Sequence, residues 1–409
     1  MNSRFWIVAS CVAALAVGLP GVSAAQTRSA DTLGTASDTT EAQGPRVGYG
    51  SRGFEIESAD GNYLLQLQLR FQFRYAFPFD GDQIADLARD QHLFEINRAR
   101  VKIGGHGFAP FLKYFMEFDL VGARLLDFRL MLEKWPGFRL KVGQWKAHFN
   151  RERVISSGRQ QTIDRSIVNR FFTVDRQQGI SVYGRVARGG AADFSYWASV
   201  LTGTGRGASE NDDDHLMWLA RLQWNFLGRV LPFVGSDLDR SSPTGLIAIG
   251  AVTNRSPYTA FSSGGGGQLP GFGDGEPGQY RVKQVTFETA FLAAGFAWQS
   301  ELHWKEVNDR FTGEITHLAR GYMQLGYFLS DVIAGFPRPL EIATRYAAVD
   351  QDRDATDDLR REFTLAANWF FSGHNNKLTA ELGVFSDQTP LASENTDETR
   401  FRLQWDISF

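Results

Sequence analysis

The segment Arg400-Phe401-Arg402-Leu403-Gln404-Trp405-Asp406-Ile407-Ser408-Phe409 alternates without exception, apolar at odd positions and polar at even ones. Successive side chains of a strand point to opposite faces, so this segment has one greasy side and one wet side. Its length is that of a tilted strand crossing a bilayer, about 9–11 residues. A soluble sheet has to cover an aromatic face of this kind with further chain, whereas a membrane barrel turns it toward lipid. A soluble edge strand is the competing reading, and it has to account for the rest of the chain as well.

The rest of the chain repeats the pattern. Leu65–Phe77 alternates throughout; Phe94–Gly104 does so with a slip near Asn97 that predicts a bulge. Further segments follow at 111–121, 125–134 and 138–146, and after an irregular stretch at 179–188, 193–201 and 216–226. Noisier ones lie at 245–254, 280–292, 294–306, 317–329, 340–349, 362–371 and 377–387. With the final strand they make about sixteen, an even number as a closed bacterial barrel requires. The fold class expected is therefore all-β, a transmembrane antiparallel β-barrel. A sandwich or propeller is the rival, but its strands run to about 5–6 residues, and only closure satisfies every backbone group in hydrocarbon.

The connections provide a second check. With Phe409 at the periplasmic end, short turns and long polar loops should alternate, and most do. Gly122–Arg124 is short where a loop is due and Leu227–Thr244 long where a turn is due, which marks a possible misassignment of one strand pair.

The front end reads as export machinery. Phe5–Val22 is the one stretch apolar enough for a spanning helix; it follows Arg4 and runs into Ser23-Ala24-Ala25, the pattern of a cleaved signal peptide over 1–25. Cys11, the single cysteine, lies inside it, so no disulfide framework is expected after cleavage. Only three residues separate Arg4 from the Val8-Ala9-Ser10-Cys11 run, too few for the apolar core of a lipoprotein signal. Residues 26–53 are expected to be a flexible periplasmic segment, and 54–409 the barrel.

Charge is distributed unevenly. Residues 62–188 hold 21 Lys and Arg against 12 Asp and Glu, although the whole chain is at −3. The polar faces of the early strands carry Arg70, Arg74, Arg98, Arg100, Lys102, Arg129, Arg139 and Lys141, and Lys146 leads into the irregular stretch 147–177, which contains Arg165. Rings of Arg and Lys build anion-passing pores. Glu117, Asp119, Asp127 and Glu133 share those faces, so a lumen dense in both signs is the blander alternative. A nucleic-acid surface needs a soluble face and does not suit an exported barrel.

Other chemistry is thin. Asp350-x-Asp352-x-Asp354 begins like a calcium loop, but Ala355 and Arg361 stand where the turn glycine and closing glutamate belong. Gly264–Gly267 lacks the strand-then-helix setting of a phosphate cradle. The seven histidines have no metal spacing and no serine hydrolase pattern stands out. Neither an enzyme nor a cofactor is expected.

Four stretches resemble the phosphate-selective porin O/P family of Gram-negative outer membranes. They are Asn97-Arg98-Ala99-Arg100; the run Lys141-Val142-Gly143-Gln144-Trp145-Lys146-Ala147-His148-Phe149-Asn150-Arg151-Glu152; Ser156-Ser157, Asp164-Arg165-Ser166 and Arg176-Gln177-Gln178-Gly179; and, near the C-terminus, Glu341-x-x-x-Arg345-Tyr346 with Asn368-Trp369-Phe370. Asn97 and His148 depart from the family's arginine and proline. The resemblance implies a homotrimer of sixteen-stranded barrels in the outer membrane, in contact with lipid and lipopolysaccharide. It further implies a third loop inside the pore, with Arg98 and Lys146 holding small anions such as phosphate. Phe409 then matches the terminal residue read by the barrel-assembly machinery.

Overall fold

The computed structural model describes residues 44–50, 52–77, 92–240, 242–262, 266–356, 358–387 and 396–409. The expected signal peptide, most of segment 26–53 and the loop connections 78–91 and 388–395 lie outside the described residues.

A hairpin, β1 (Arg46–Gly50) and β2 (Gly53–Glu57), precedes the barrel. It begins inside the stretch expected to be a flexible lead-in, where two five-residue strands are too short for a period to register. The barrel strands are β3 (Leu64–Phe77), β4 (Leu93–Gly107), β5 (Ala109–Asp119), β6 (Arg124–Trp135), β7 (Phe138–Lys146) and β8 (Arg176–Val186). Then come β9 (Phe194–Leu201), β10 (Met217–Trp224), β11 (Thr244–Ser256), β12 (Tyr280–Ala293) and β13 (Phe296–Asp309). The last five are β14 (Ile315–Tyr327), β15 (Leu340–Asp350), β16 (Leu359–Ser372), β17 (Asn376–Asp387) and β18 (Thr396–Ser408). Each pairs antiparallel with its sequence neighbours and β18 returns to β3, closing sixteen strands into a barrel. No helix among the described residues is long and apolar enough to cross a membrane.

Closure runs from Phe401 opposite Phe77 to Ser408 opposite Arg70. Phe409 completes it by accepting from Leu69 N at 2.7 Å and donating to Leu69 O at 3.0 Å. Below that point β2 takes over the same edge of β3, from Phe54 opposite Leu67 to Glu57 opposite Leu64. The β3 edge is thus paired along its length, as an edge in hydrocarbon must be.

The two faces follow the alternation. Phe73, Phe128, Trp218, Leu302, Phe363 and Trp405 are exposed on the outside, while Gln72, Arg221, Glu288, Lys305, Glu362 and Lys377 are buried on the inside. An apolar belt outside and a polar interior are what bilayer and lumen select. The expected slip lies at Asn97: Gln72 pairs with Arg98 and Phe73 with Ile96, leaving Asn97 as the extra residue. At the Phe409 end β12 and β13 turn on Ala294-Gly295, both at positive φ (48° and 83°), as a two-residue hairpin with right-handed strand twist requires.

The two irregular connections involve no misassigned strand. Residues 120–123 are a tight turn between β5 and β6, and residues 225–243 are a long connection between β10 and β11. The latter is long because the inner wall beside it is apolar. Leu246, Ala248, Ala290, Leu292 and Ala297 form a buried cluster that Leu231 completes and Val234 packs against. An apolar lumen wall needs cover from water, and this connection supplies it.

Removing Phe409 deletes both closing hydrogen bonds and the ring contact with Phe71 at 5.9 Å. The expected result is a several-fold drop in barrel that shifts mobility on heating, with export across the inner membrane unchanged. Equal barrel yield from the truncated chain contradicts this account of closure.

Candidate functional site

Between β7 and β8 the chain leaves the wall for residues 147–175, which include short helices at Arg151–Val154 and Val168–Phe172. The loop's backbone donors are taken up by wall glutamates. Glu288 accepts from Arg151 N (3.1 Å), Glu301 from Glu152 N (2.6 Å), Glu381 from Ile163 N (2.6 Å) and Glu362 from Ile167 N (2.8 Å). Its carbonyls are met by cations and an amide: Lys377 donates to Gln160 O (2.7 Å), Asn368 to Gln161 O (2.8 Å) and Lys305 to Phe171 O (3.0 Å). A buried backbone group left unpaired is costly, and these contacts satisfy a segment that has little ladder of its own. Ile155, Ile163, Ile167, Val168, Phe171 and Phe172 are buried with it.

Two inner-wall glycines make room. A Cβ on Gly250 would lie 2.5 Å from Phe149 O, and one on Gly326 would lie 2.0 Å from the Gln161 amide nitrogen. Neighbouring connections brace the segment. Asp175 N donates to Phe261 O (2.7 Å) and Ser262 Oγ to Arg170 O (2.6 Å), both from residues 257–279. From the opposite end, the 225–243 connection accepts two bonds from Arg151 Nη2, at Pro232 O (2.7 Å) and Val234 O (2.8 Å). Its Gly235 N donates to Arg159 O at 2.8 Å.

The side of the loop facing β3–β7 is open. A cavity of about 330 Å³ lies there, lined by Arg52, Arg70, Arg100, Lys102, Arg129, Lys146 and Arg159 against Glu117 and Asp127, with His148, Ser156 and His374 among the neutral groups. Seven cations thus face two carboxylates. Arg100 pairs with Glu117 and Arg129 with Asp127, each at 2.7 Å. Arg70 pairs with Asp406 at 2.8 Å and donates to the Ser156 and Ser157 hydroxyls at 3.1 and 3.2 Å. Lys102 reaches only Gln68 Oε1 at 3.2 Å, and Lys146 only Ile155 O at 3.4 Å. Neither lysine has an ion-pair partner among the described residues, and both line the cavity.

Of the cations singled out from the sequence, Arg70, Arg100, Lys102, Arg129 and Lys146 line this cavity together. Arg98 sits one step away, donating to Gln72 Oε1 at 2.7 Å. Arg74 is held by Asp164 (2.9 Å) and Glu95 (3.5 Å), and Arg402 shares Asp164 at 2.6 Å. Burial works against ionisation of the Asp164 carboxyl, but Arg74 and Arg402 outweigh it and hold it well below the usual carboxylate range. Arg165 belongs to the loop scaffold, donating to the carbonyls of Glu152 (3.1 Å) and Ile155 (2.8 Å).

Arg139 and Lys141 are off the cavity; Lys141 is buried 5.0 Å over the Trp145 ring and 4.8 Å over that of Tyr183. Arg52 and Arg159 were not singled out, one lying before the barrel and the other in a stretch without periodicity. Arg129 shares the strand phase of the polar faces and was legible from it.

Asp213, Asp214 and His215 gather potential metal ligands at the loop end. His215 Nε2 lies 2.8 Å from Arg255 Nη1 and its Nδ1 2.5 Å from Asp214.

A closed sixteen-stranded antiparallel barrel, apolar outside and polar within, has the architecture of the porins of Gram-negative outer membranes. No protein-family model matches this sequence and no curated protein does. Solved structures do match in fold. OmpT, an outer membrane protein of Vibrio cholerae, aligns with a TM-score of 0.57 at 10% identity, over 85% of this chain and 98% of that one. An anion-selective porin from Comamonas acidovorans gives 0.57 at 9%, over 84% and 99%. OmpF of Salmonella typhi gives 0.53 at 11%, over 87% and 100%.

Arg151 ties the loop to the connection beneath it through two charge-assisted bonds, each worth about 1.5–3 kcal/mol. Arg151→Ala is expected to loosen the loop, giving noisier single-channel current and faster proteolysis within residues 151–170 of an otherwise intact barrel. Unchanged noise and cleavage contradict the bracing role.

Proposed function

We propose that this protein is a passive outer-membrane channel for small anions, phosphate or polyphosphate above all. Segment 147–175 acts as the constriction loop, and the protein works as a homotrimer without enzymatic activity. The observation carrying this reading is the imbalance around the cavity, seven cations to two carboxylates. Wall and loop cations replace part of an anion's hydration, and their number lets it pass from one to the next without being trapped. At an effective dielectric of about 20, a unit charge about 4 Å from a permeating anion contributes roughly 4 kcal/mol before desolvation is subtracted. Exposed loop charges are screened beyond about 10 Å at 0.1 M salt, so charges at the cavity set the selectivity.

A weakly selective general porin is the second reading. It is favoured by the ion pairs that Arg70, Arg100 and Arg129 make with Asp406, Glu117 and Asp127, which cancel part of the positive field. Lys102 and Lys146 separate the two readings because neither forms an ion pair among the described residues, and Glu117 acts on both only from beyond ion-pair distance.

Lys146→Glu should shift the reversal potential in a KCl gradient toward cation preference and abolish phosphate block of chloride current. Arg353→Glu, on an exposed loop, should leave both unchanged. A reversal potential unmoved by Lys146→Glu takes Lys146 out of the anion path and favours the general porin. Deleting Ser156–Asn169 from a correctly folded barrel should raise single-channel conductance; equal or lower conductance means the loop caps the outside.

A further inference from the structure

The outer face of β9–β12 carries a dent in its apolar belt. Ala198, Ala220 and Ala251 lie at its floor, Trp218 and Trp304 are among its walls, and the depression measures about 860 Å³ with an almost wholly apolar lining. The strand register places a basic cluster directly above it, toward the loop end. Arg255 on β11 lies opposite Arg281 on β12, and one pleat nearer the dent Lys283 lies opposite Thr253 and Glu306. Ala251 and Trp304 both pair with Val285, one pleat further on, inside the dent.

Like charges facing each other across a strand pair repel, and little on the protein compensates this pair. The Arg281 side chain is exposed and makes no hydrogen bond or ion pair among the described residues. Arg255 donates to neutral acceptors, Gly278 O at 2.9 Å and His215 Nε2 at 2.8 Å, with Asp213 and Asp214 on the far side of that ring. Lys283 has one carboxylate, Glu306, at 2.8 Å. An anion between the two guanidinium groups relieves the repulsion, and a phosphate offers acceptors to both.

A free anion has no use for the groove below. At about 3.4 Å per residue, Arg281 and Val285 are separated by about 14 Å along the strand, the layout of a headgroup over an acyl chain. We propose that this outer face is a binding site for a phosphorylated, acylated lipid of the outer leaflet. Its phosphate bridges Arg255 and Arg281 within reach of Lys283, and one acyl chain fills the dent between Trp218 and Trp304. The site rests on the reading that the loop end faces outward, and it is separate from the conduction path.

The test uses the full-length mature protein in detergent, with the barrel verified by its gel shift on heating. Bound lipid is counted by native mass spectrometry after incubation with diphosphoryl lipid A or with phosphatidylethanolamine, with and without millimolar inorganic phosphate. The expected result is one tightly retained lipid A, preferred over phosphatidylethanolamine and undisturbed by inorganic phosphate. Retention should fall several-fold in Arg281→Ser, in Lys283→Gln and in the groove-filling Ala220→Phe. Equal retention by folded Arg281→Ser and Lys283→Gln overturns the proposal. So does displacement by inorganic phosphate, which marks a site for the free ion, or equal binding of phosphatidylethanolamine, which marks ordinary annular lipid. No current is measured, so failure of the channel reading leaves this outcome untouched.

Discussion

Four glutamates on one sector of the wall, Glu288, Glu301, Glu362 and Glu381, each accept a backbone N–H from residues 151–167. Much of the lumen's character follows from that. A carboxylate away from bulk water needs donors, and a loop inside a barrel needs acceptors for its amides; each meets the other's requirement. The acids of β12, β13, β16 and β17 are thereby spent on holding the loop. In the basic sector of β3–β7 Arg74 holds Asp164 and Arg70 the hydroxyls of Ser156 and Ser157, while Arg100, Lys102, Arg129 and Lys146 line the remaining opening.

Two further constraints shape that opening. Hydrocarbon tolerates no unpaired strand edge, so β18 closes on β3 and β2 continues the pairing below Phe409. The inner wall of β11–β13 is apolar near the Phe409 end, and the 225–243 connection covers it with Leu231 and Val234. That same connection braces Arg151 and Arg159 of the loop. Cover for a greasy wall and support for residues 147–175 thus come from one segment.

The barrel was largely legible because a strand with lipid on one side and water on the other writes a period of two into the sequence. Residues 138–146 were read with the bounds that the structure has, and the slip at Asn97 proved to be a bulge. The signal failed where its physical cause was missing. At the start of β11 the inner-face residues Leu246 and Ala248 are apolar, so alternation fades, and the long connection beside them looked like an error rather than a cover. The anchoring glutamates could not be read at all: each is a single polar residue at an inward position, and its partner is a backbone amide far along the chain. Lys102 and Lys146 were visible by phase, but that Arg100 is ion-paired while Lys146 is not depends on where Glu117 lies, which spacing does not give.

Selectivity of the unmodified channel is the most direct test of the account that the acidic sector is used up and the basic one left open. Single channels of the wild-type protein in a planar bilayer with a KCl gradient should reverse at a potential displaced toward the chloride equilibrium potential. Reversal near zero, or displaced toward that of potassium, contradicts it.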